Sequence, residues 1–288
     1  MNLNDFFRQN PKAALAFSGG VDSAYLLYAA LANGAQVRAY YVRSAFQPRF
    51  ELEDARRLSA KLGAEMRELK ADVLADPVIS ANPADRCYHC KKMIFSAIAQ
   101  AAAEDGYPVL MDGTNASDDA GDRPGMRALT ELKVRSPLRE CGLTKDAVRS
   151  LSKEAGLFTW DKPAYACLAT RIPAGTEITA ERLSRTEAAE DYLASIGLTD
   201  FRVRMIPAGG GQTEGCAGSE SLCLQTDTAR KEMPCKTASG SQTGIKACDY
   251  ARLQVREQDI PLVLSRRQEI LTELKKYYGA VLVDMEVR

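Results

Sequence analysis

The chain has 288 residues, and its 38 basic residues balance its 38 acidic residues, so that the formal net charge is zero. With 45% hydrophobic and 26% charged residues, the composition is typical of a globular protein and unlike that of disordered or fibrous chains. A broad basic surface for nucleic acid is not indicated. No apolar run approaches the roughly 18 residues that a membrane helix needs, so no membrane partner is expected.

The numbers of cysteine and histidine residues limit the kinds of metal and catalytic site that the chain can form. The N-terminal segment lacks the pattern of a secretory signal, so we expect a cytoplasmic protein with reduced thiols. Eight cysteines are too few for a disulfide scaffold, and clustered ones are better interpreted as ligands or nucleophiles. His89 is the only histidine, which excludes a His-rich zinc site and means that a Ser-His-Asp triad would have to use this residue.

The first half of the chain alternates predicted strands and helices. Strands are expected at 13–17, 37–42, 66–69 and 108–112, and helices at 21–33, 51–62, 92–103 and 144–155. The alternation predicts an α/β domain over residues 1–160, in which helices cover both faces of a parallel sheet.

The second half of the chain has a different pattern. Residues 161–178 form a proline-containing linker with Cys167, and residues 179–288 are predicted to form a smaller α+β domain. Its expected helices are 179–196 and 264–278, and its expected strands are 202–206, 251–255 and 280–287. Between the first two strands, residues 207–248 are predicted to be a long surface loop or insertion. A second metal site there is less favoured, because the spacing of its cysteines matches no zinc or ferredoxin pattern: Cys216, Cys223, Cys235 and Cys248.

The hexapeptide Ser18-Gly19-Gly20-Val21-Asp22-Ser23 lies between a predicted strand and a predicted helix. Glycines allow close backbone approach, and successive amides at a helix N-terminus form a cradle for an anion. The hydroxyls of Ser18 and Ser23 can donate to phosphate oxygens, and Asp22 is a candidate magnesium ligand. The competing interpretation is an ordinary strand-to-helix turn. A Walker A loop is a poor match because its lysine is missing, and the Rossmann glycine spacing is absent.

Two cysteines occur in the segment Arg86-Cys87-Tyr88-His89-Cys90-Lys91-Lys92. Their spacing lets both thiols reach one metal, and the flanking cations are expected to lower the thiol pKa. Alone, the pair fits half of a zinc site, part of an iron–sulfur site, a redox pair or two inert loop cysteines. Cys167, in an irregular segment between two prolines, is the candidate third partner. The alternative for Cys167 is a small buried apolar residue.

The hexapeptide resembles the PP-loop of ATP pyrophosphatases, which adenylate a carbonyl or carboxylate oxygen and release pyrophosphate. The resemblance implies that residues 18–23 hold the phosphates of ATP and that Tyr40 to Val42 flank the adenine base. It also implies a second nucleotide loop, Asp112-Gly113-Thr114-Asn115. The charged residues that follow this loop are more typical of a solvated segment: Asp118, Asp119, Asp122 and Arg123.

The complete set of motifs resembles the LarE-type pyridinium-3,5-bisthiocarboxylic acid mononucleotide synthases, which are ATP-dependent sulfur transferases of nickel-pincer cofactor biosynthesis. The stretches that carry this resemblance are 18–23, 86–92, 112–139, 162–173, 201–204, 250–253 and 284–286. The chain departs from the family at 207–248, where relatives have only a short turn. This departure puts site closure and the oligomeric state in doubt.

The family resemblance implies ATP with Mg²⁺, a pyridinium mononucleotide as the small-molecule substrate, and a homo-oligomer. It places Cys167 at the active centre, where some members sacrifice its sulfur and others use a Cys-x-x-Cys pair as well to bind a [4Fe-4S] cluster. Because Cys87, Cys90 and Cys167 are all present, it implies the cluster-dependent type, with the sacrificial route still open. Arg171 is a candidate to hold a substrate phosphate. Further candidate site residues are Arg204, Arg252 and Glu286.

Three other functions fit parts of the pattern. A tRNA thiolase also couples adenylation to cysteine sulfur, but it predicts a basic RNA-binding surface that zero net charge does not favour. An amidotransferase-linked synthetase would give Cys167 no role. A nucleotide-sensing or metallochaperone module would bind ATP without cleaving it.

Overall fold

The computed structural model describes residues 1–118, 124–207 and 249–286. The helices in chain order are α1 (Leu3–Gln9), α2 (Val21–Ala32), α3 (Arg49–Leu62), α4 (Pro77–Ser80), α5 (Arg86–Glu104), α6 (Pro124–Glu131), α7 (Pro137–Glu140), α8 (Lys145–Glu154), α9 (Ala180–Ser195), α10 (Ile260–Ser265) and α11 (Arg267–Leu274). The strands are β1 (Lys12–Ala16), β2 (Gln36–Arg43), β3 (Glu65–Lys70), β4 (Val109–Met111), β5 (Arg202–Ile206), β6 (Tyr250–Gln254) and β7 (Ala280–Val283). Residues 208–248, with all four cysteines of the predicted insertion, lie outside the described residues, as do Asp119, Asp122 and Arg123.

The first sheet has four parallel strands in the order β3-β2-β1-β4. The central strand β1 is buried on both faces, since Ala13, Ala14 and Leu15 have no exposed surface. Such a continuous apolar strand is typical of a parallel sheet covered by helices. One face packs against α2 and α3, and the other packs against Ile98 and Ala101 of α5. The predicted α/β class is therefore confirmed.

The second sheet has the order β5-β6-β7, in which β5 pairs antiparallel with β6 and β6 pairs parallel with β7. The inward side chains Val203 and Met205 of β5 pack against Leu183 and Leu193 of α9. A smaller C-terminal α+β unit is thus present, as predicted. The domain boundaries at residues 160 and 178 stay predictions. No helix in the described ranges has the length and apolar character needed to cross a membrane.

Two predicted helices differ from the observed ones. The helix expected at 92–103 is α5, which begins six residues earlier at Arg86. Pro83 lies before this start, and the cysteine segment contains no helix breaker, so Cys87 and Cys90 lie on the first turns of a helix. The helix expected at 264–278 is instead the pair α10 and α11, since the backbone of Arg266 (φ −103°, ψ 18°) leaves the helical region between them.

A buried ion pair holds the linker segment against α9. The Arg171 side chain, 1% exposed, donates from Nε to Glu190 Oε1 at 2.7 Å and from a second nitrogen to Oε2 at 3.1 Å. Glu190 also accepts the Tyr165 hydroxyl at 2.6 Å and the Val203 amide at 2.9 Å. One carboxylate therefore joins the linker, α9 and β5.

The substitution Glu190→Gln is expected to lower the free energy of unfolding by about 3 kcal/mol, because it leaves a buried guanidinium without its counter-charge. The matched control is Glu187→Gln on the same helix, whose partner Arg49 has a side chain that is 78% exposed. That control is expected to cost less than about 1 kcal/mol. Urea unfolding of both variants checks this, and equal losses would contradict the structural role of Glu190.

Candidate active site

The predicted phosphate loop connects β1 to α2. Ser18 Oγ and Ser23 Oγ lie 3.1 Å apart, the Gly20 amide donates to Ser18 Oγ at 3.3 Å, and Ser23 Oγ donates to the Gly20 carbonyl at 3.3 Å. Gly20 is the N-cap of α2, and no side chain caps this end of the helix. The first-turn amides of α2, which include those of Val21 and Asp22, therefore lack helical acceptors, as the predicted anion cradle requires.

Two glycines allow neighbouring backbone to pack against this loop. Gly19 has a left-handed φ of +71°, and a Cβ built there would lie 3.1 Å from the Ala55 nitrogen of α3. A Cβ on Gly113 would lie only 2.8 Å from the Ser23 nitrogen. The loop after β4 thus contacts the start of α2 directly, which is the arrangement expected for a second nucleotide loop.

Asp112 organises this second loop. Its carboxylate, on a residue that is 5% exposed, accepts the Thr114 hydroxyl at 2.5 Å and the Ser136 hydroxyl at 2.7 Å. The Thr114 hydroxyl, predicted to lie on the nucleotide side, is therefore used within the loop. Asn115 extends from the same loop to Asp22, donating to Oδ1 at 3.2 Å.

Asp22 also has a cationic partner that the sequence does not reveal. Lys145 Nζ lies 2.5 Å from Asp22 Oδ2, although the two residues are 123 positions apart. Lys145 is the first residue of α8, whose N-cap is Thr144. The loop sequence lacks the lysine of a Walker A motif, but α8, which is distant in sequence, places Lys145 beside the loop. The carboxylate predicted to hold magnesium is thus paired with an ammonium group.

A cavity of about 320 Å³ opens beside the phosphate loop. One side is formed by the carboxyl ends of β1 and β2, including Phe17, Ser18 and Val42. The other side includes all three candidate thiols: Cys87, Cys90 and Cys167. The structure therefore places the predicted adenine-flanking strand end, the phosphate loop and the three thiols around one space.

The three thiols reach this cavity from two segments. Cys87 and Cys90 lie at the start of α5, and Cys167 precedes a short 3-10 turn, Leu168–Arg171. The amide of Leu168 donates to the Phe46 carbonyl at 2.9 Å, which fixes the turn against the loop after β2. Within the described ranges, no three Cys, His, Asp or Glu side chains are grouped closely enough to hold a metal ion.

Burial dominates the electrostatics of the thiols. It raises the pKa of Cys90 to about 12, reinforced by Cys167 and only partly opposed by Arg86 and Lys91. Burial also raises the pKa of Cys167, against the opposing effect of Arg86. The expectation that flanking cations lower the thiol pKa is thus wrong for Cys90, because desolvation outweighs them. At neutral pH both groups are thiols until a metal or base removes the proton.

The other arginine candidates have structural partners. Beyond its ion pair with Glu190, Arg171 donates to the Ala166 carbonyl at 3.1 Å and to Thr170 Oγ1 at 2.9 Å. With its donors used internally and 1% of its surface exposed, Arg171 is placed to shape the Cys167 segment, and this geometry does not favour direct phosphate binding. Arg204 donates to the Thr170 carbonyl at 3.0 Å and so reaches the same turn.

Arg252 and Glu286 are not brought to the thiols. Arg252 Nε lies 3.4 Å from Asp284 Oδ2 on the second sheet, and the Glu286 amide contacts the same Asp284 carboxylate at 3.4 Å.

A different acidic residue has an unusual environment. Burial raises the pKa of Glu51, in the first turn of α3, to about 7, against the lowering effect of Lys162. The sequence does not reveal the raised pKa of Glu51, because the burial of this side chain depends on tertiary packing.

Comparisons with known proteins agree with this geometry. The family model described as "Queuosine biosynthesis protein QueC" matches residues 12–86. The chain is 40% identical over 206 residues to an uncharacterized protein, slr1717, of Synechocystis, covering 70% of this chain and 76% of that one. It is 36% identical over 195 residues to the pyridinium-3,5-bisthiocarboxylic acid mononucleotide synthase of Lactiplantibacillus plantarum, covering 67% and 71%. It is 28% identical over 181 residues to a tRNA-specific 2-thiouridylase of Clostridium botulinum, covering 52% and 51%.

The parallel sheet, the phosphate loop and these relatives together define an ATP-dependent sulfur transferase of the PP-loop class. Within that class, the chain belongs to the LarE-type pyridinium-3,5-bisthiocarboxylic acid mononucleotide synthase family. The resemblance stated from the sequence motifs is confirmed.

The contact between the two nucleotide loops is tested by Gly113→Ala. The new methyl group would overlap the Ser23 amide, so we expect ATP affinity to fall about tenfold or more. The control is Gly142→Ala, where φ is +72° and a Cβ meets nothing within 4 Å. Alanine should strain the backbone there and lower thermal stability, while the ATP affinity of the folded variant should be unchanged. Isothermal titration calorimetry checks both, and wild-type affinity in Gly113→Ala would refute the predicted packing.

Proposed function

We propose that this protein adenylates a carboxylate of a pyridinium mononucleotide and replaces one carboxylate oxygen by sulfur, during biosynthesis of a nickel-pincer cofactor. The supporting observation is that Cys87, Cys90 and Cys167 line the same cavity as Ser18 of the phosphate loop. A curated relative that shares 36% identity carries the corresponding synthase name. A phosphate loop and a thiol set around one cavity are what coupled adenylation and sulfur transfer require.

In this proposal the phosphate loop activates the acceptor. A carboxylate resists attack by sulfur because oxide is a poor leaving group, whereas the AMP of an acyl-adenylate leaves readily. The amides at the start of α2 would hold the departing pyrophosphate, with the hydroxyls of Ser18 and Ser23. Asp22 is the proposed ligand of the magnesium ion that accompanies ATP. Lys145, which contacts Asp22 in the structure, would then exchange this contact for the phosphates.

The three thiols are proposed to hold an iron–sulfur cluster rather than a single ion. A cluster binds each thiolate through a different iron, so its protein ligands need not converge on one point. Cys87, Cys90 and Cys167 would hold it, and coordination would remove the protons that burial otherwise retains on Cys90 and Cys167. When bound by three thiolates, such a cluster supplies one open iron for an exogenous sulfur ligand.

The same geometry accommodates the sacrificial route, in which Cys167 itself provides the sulfur. Arg171 is proposed to act in either route as a positioning residue, since it fixes the Ala166 carbonyl next to Cys167 while paired with Glu190. Arg204 supports the same turn through the Thr170 carbonyl. The second domain thereby contributes to the placement of the sulfur donor.

The proposed function is tested by supplying ATP, Mg²⁺ and a carboxylated pyridinium mononucleotide to protein purified without oxygen. We expect pyrophosphate release and a product whose mass shows one oxygen replaced by sulfur. Asp22→Asn should lose both signals, whereas Cys167→Ala should keep pyrophosphate release and lose the sulfur-containing product. A broad iron–sulfur absorbance, lost in the alanine variants of Cys87, Cys90 and Cys167, would identify the cluster route.

Other outcomes separate the alternatives. Iron-free protein whose Cys167 loses the mass of hydrogen sulfide on turnover would establish the sacrificial route. Full sulfur transfer by Cys167→Ala would overturn both routes. Sulfur incorporation into tRNA, with no activity on the mononucleotide, would favour a tRNA thiolase. One relative, at 28% identity, is named as a tRNA-specific 2-thiouridylase. ATP binding without pyrophosphate release would favour a sensing module.

The expected homo-oligomer and cytoplasmic location belong to the same proposal. Leu282 and Val283 of the edge strand β7 are 46% and 44% exposed, and unpaired apolar edge strands are usually covered. Size-exclusion chromatography with light scattering should give a multiple of the monomer mass, and a purely monomeric protein would contradict the expectation.

A further inference from the structure

One buried side chain connects the two segments that carry the thiols. Arg86, 7% exposed at the start of α5, donates from one guanidinium nitrogen to Asn82 Oδ1 at 2.6 Å and to the Ala169 carbonyl at 3.1 Å. Its other terminal nitrogen lies 3.7 Å from Cys87 Sγ. Arg86 therefore contacts the helix start that holds Cys87 and the 3-10 turn that follows Cys167.

Asn82 extends this connection to the chain that leaves the turn. Its side-chain amide, on a residue that is 1% exposed, donates to the carbonyls of Ile172 (3.3 Å), Pro173 (2.8 Å) and Thr176 (3.1 Å). Its own carbonyl accepts the Gly175 amide at 2.8 Å. These contacts span about 90 residues of sequence, as the separations of 90, 91 and 94 positions show. Asn82 thus anchors the exit of the Cys167 turn.

The backbone of Asn82 supports a specific role for this residue. Its φ is 58°, in the left-handed region that asparagine tolerates better than most residues with a side chain. Non-glycine residues in this conformation persist where the surrounding contacts fix them. Here the fixed conformation directs the amide oxygen to Arg86 and the amide nitrogen to the carbonyls of the linker.

Arg86 is also a buried cation whose hydrogen-bond partners are neutral oxygens and a sulfur. Within the described part of the chain, it forms no ion pair with a carboxylate. A buried charge without a counter-ion is costly, and three groups that become anionic on metal binding line the same cavity as Arg86. Metal loading of the sulfur site would supply a compensating negative charge.

We propose that Asn82 and Arg86 are positioning residues that hold the Cys167 turn against the start of α5, and that Arg86 is the counter-charge of the anionic sulfur site. This inference rests on the proposed shared role of the three thiols. The contact between Arg86 and the Ala169 carbonyl joins residues that are 83 positions apart. It therefore explains how thiols from two segments that are distant in sequence are held near each other.

The positioning role is tested on metal-free, reduced, full-length protein with dibromobimane, which joins two neighbouring thiols. Peptide mass spectrometry should find Cys167 joined to Cys87 or Cys90 in the wild type. We expect Arg86→Met and Asn82→Gly each to lower this yield about fivefold or more, because the hydrogen bonds that hold the turn are lost. Asn82→Gly keeps the left-handed backbone accessible, so it separates loss of the amide from backbone strain.

The control is Arg185→Met, which removes another buried arginine, 8% exposed and paired with Asp249. It is expected to lower thermal stability while leaving the cross-link yield unchanged. Unchanged yield in folded Asn82→Gly and Arg86→Met would overturn the positioning role and leave the proposed function intact. Absence of the cross-link in the wild type would instead refute the shared thiol site itself.

The charge role has an independent test at the exposed thiol of Cys87. The ratio of its alkylation rates with anionic iodoacetate and neutral iodoacetamide reports the local potential, because the fraction of thiolate cancels in the ratio. We expect the ratio to fall about threefold in Arg86→Met and to stay near the wild-type value in Arg86→Lys, which keeps the charge. An equal ratio in all three proteins would overturn the counter-charge role.

Discussion

The proposed transfer of sulfur to a carboxylate would impose one constraint on this fold: the activating phosphates and the sulfur donor must meet at the same carbon atom. The parallel sheet satisfies the first half, because the carboxyl ends of β1 and β2 form one wall of the cavity and place Ser18 there. The second half depends on two segments outside the sheet, the start of α5 and the turn after Cys167. Their approach is fixed by the side chains of Asn82 and Arg86.

Desolvation and charge oppose each other around the sulfur atoms. Burial keeps Cys90 protonated at neutral pH, with a pKa of about 12, whereas Arg86 favours the anion. A site of this kind is poorly reactive when empty and becomes anionic when a metal displaces the protons. In the proposed function, the same environment would protect the free thiols and stabilise their metal-bound form. The second domain takes part through Glu190, which holds Arg171 and so fixes the chain on either side of Cys167.

Local patterns were sufficient to predict the α/β class and the phosphate loop, because strand, glycine turn and helix are adjacent in sequence from Lys12 to Ala32. The irregular segment between two prolines singles out Cys167 as a candidate, and the structure places it at the cavity that Cys87 and Cys90 also line. Its role stays a prediction. Lys145 was not predictable, since its contact with Asp22 joins residues 123 positions apart. The sequence predicts that Arg171 binds phosphate. It does not reveal that the donors of Arg171 are used by Glu190, by the Ala166 carbonyl and by the Thr170 hydroxyl. The cations next to Cys90 in the sequence predict a lowered thiol pKa. Burial, which depends on tertiary packing, raises this pKa instead.

The most direct measurement is a crystal structure of the oxygen-free protein with a non-hydrolysable ATP analogue. We expect the phosphates to bind at the start of α2, with the α-phosphate facing the cavity that Cys87, Cys90 and Cys167 line. A nucleotide bound at the phosphate loop, but separated by protein from sulfurs that point elsewhere, would contradict it. Such a result would leave an ATP-binding fold without a sulfur donor at the activated carbon.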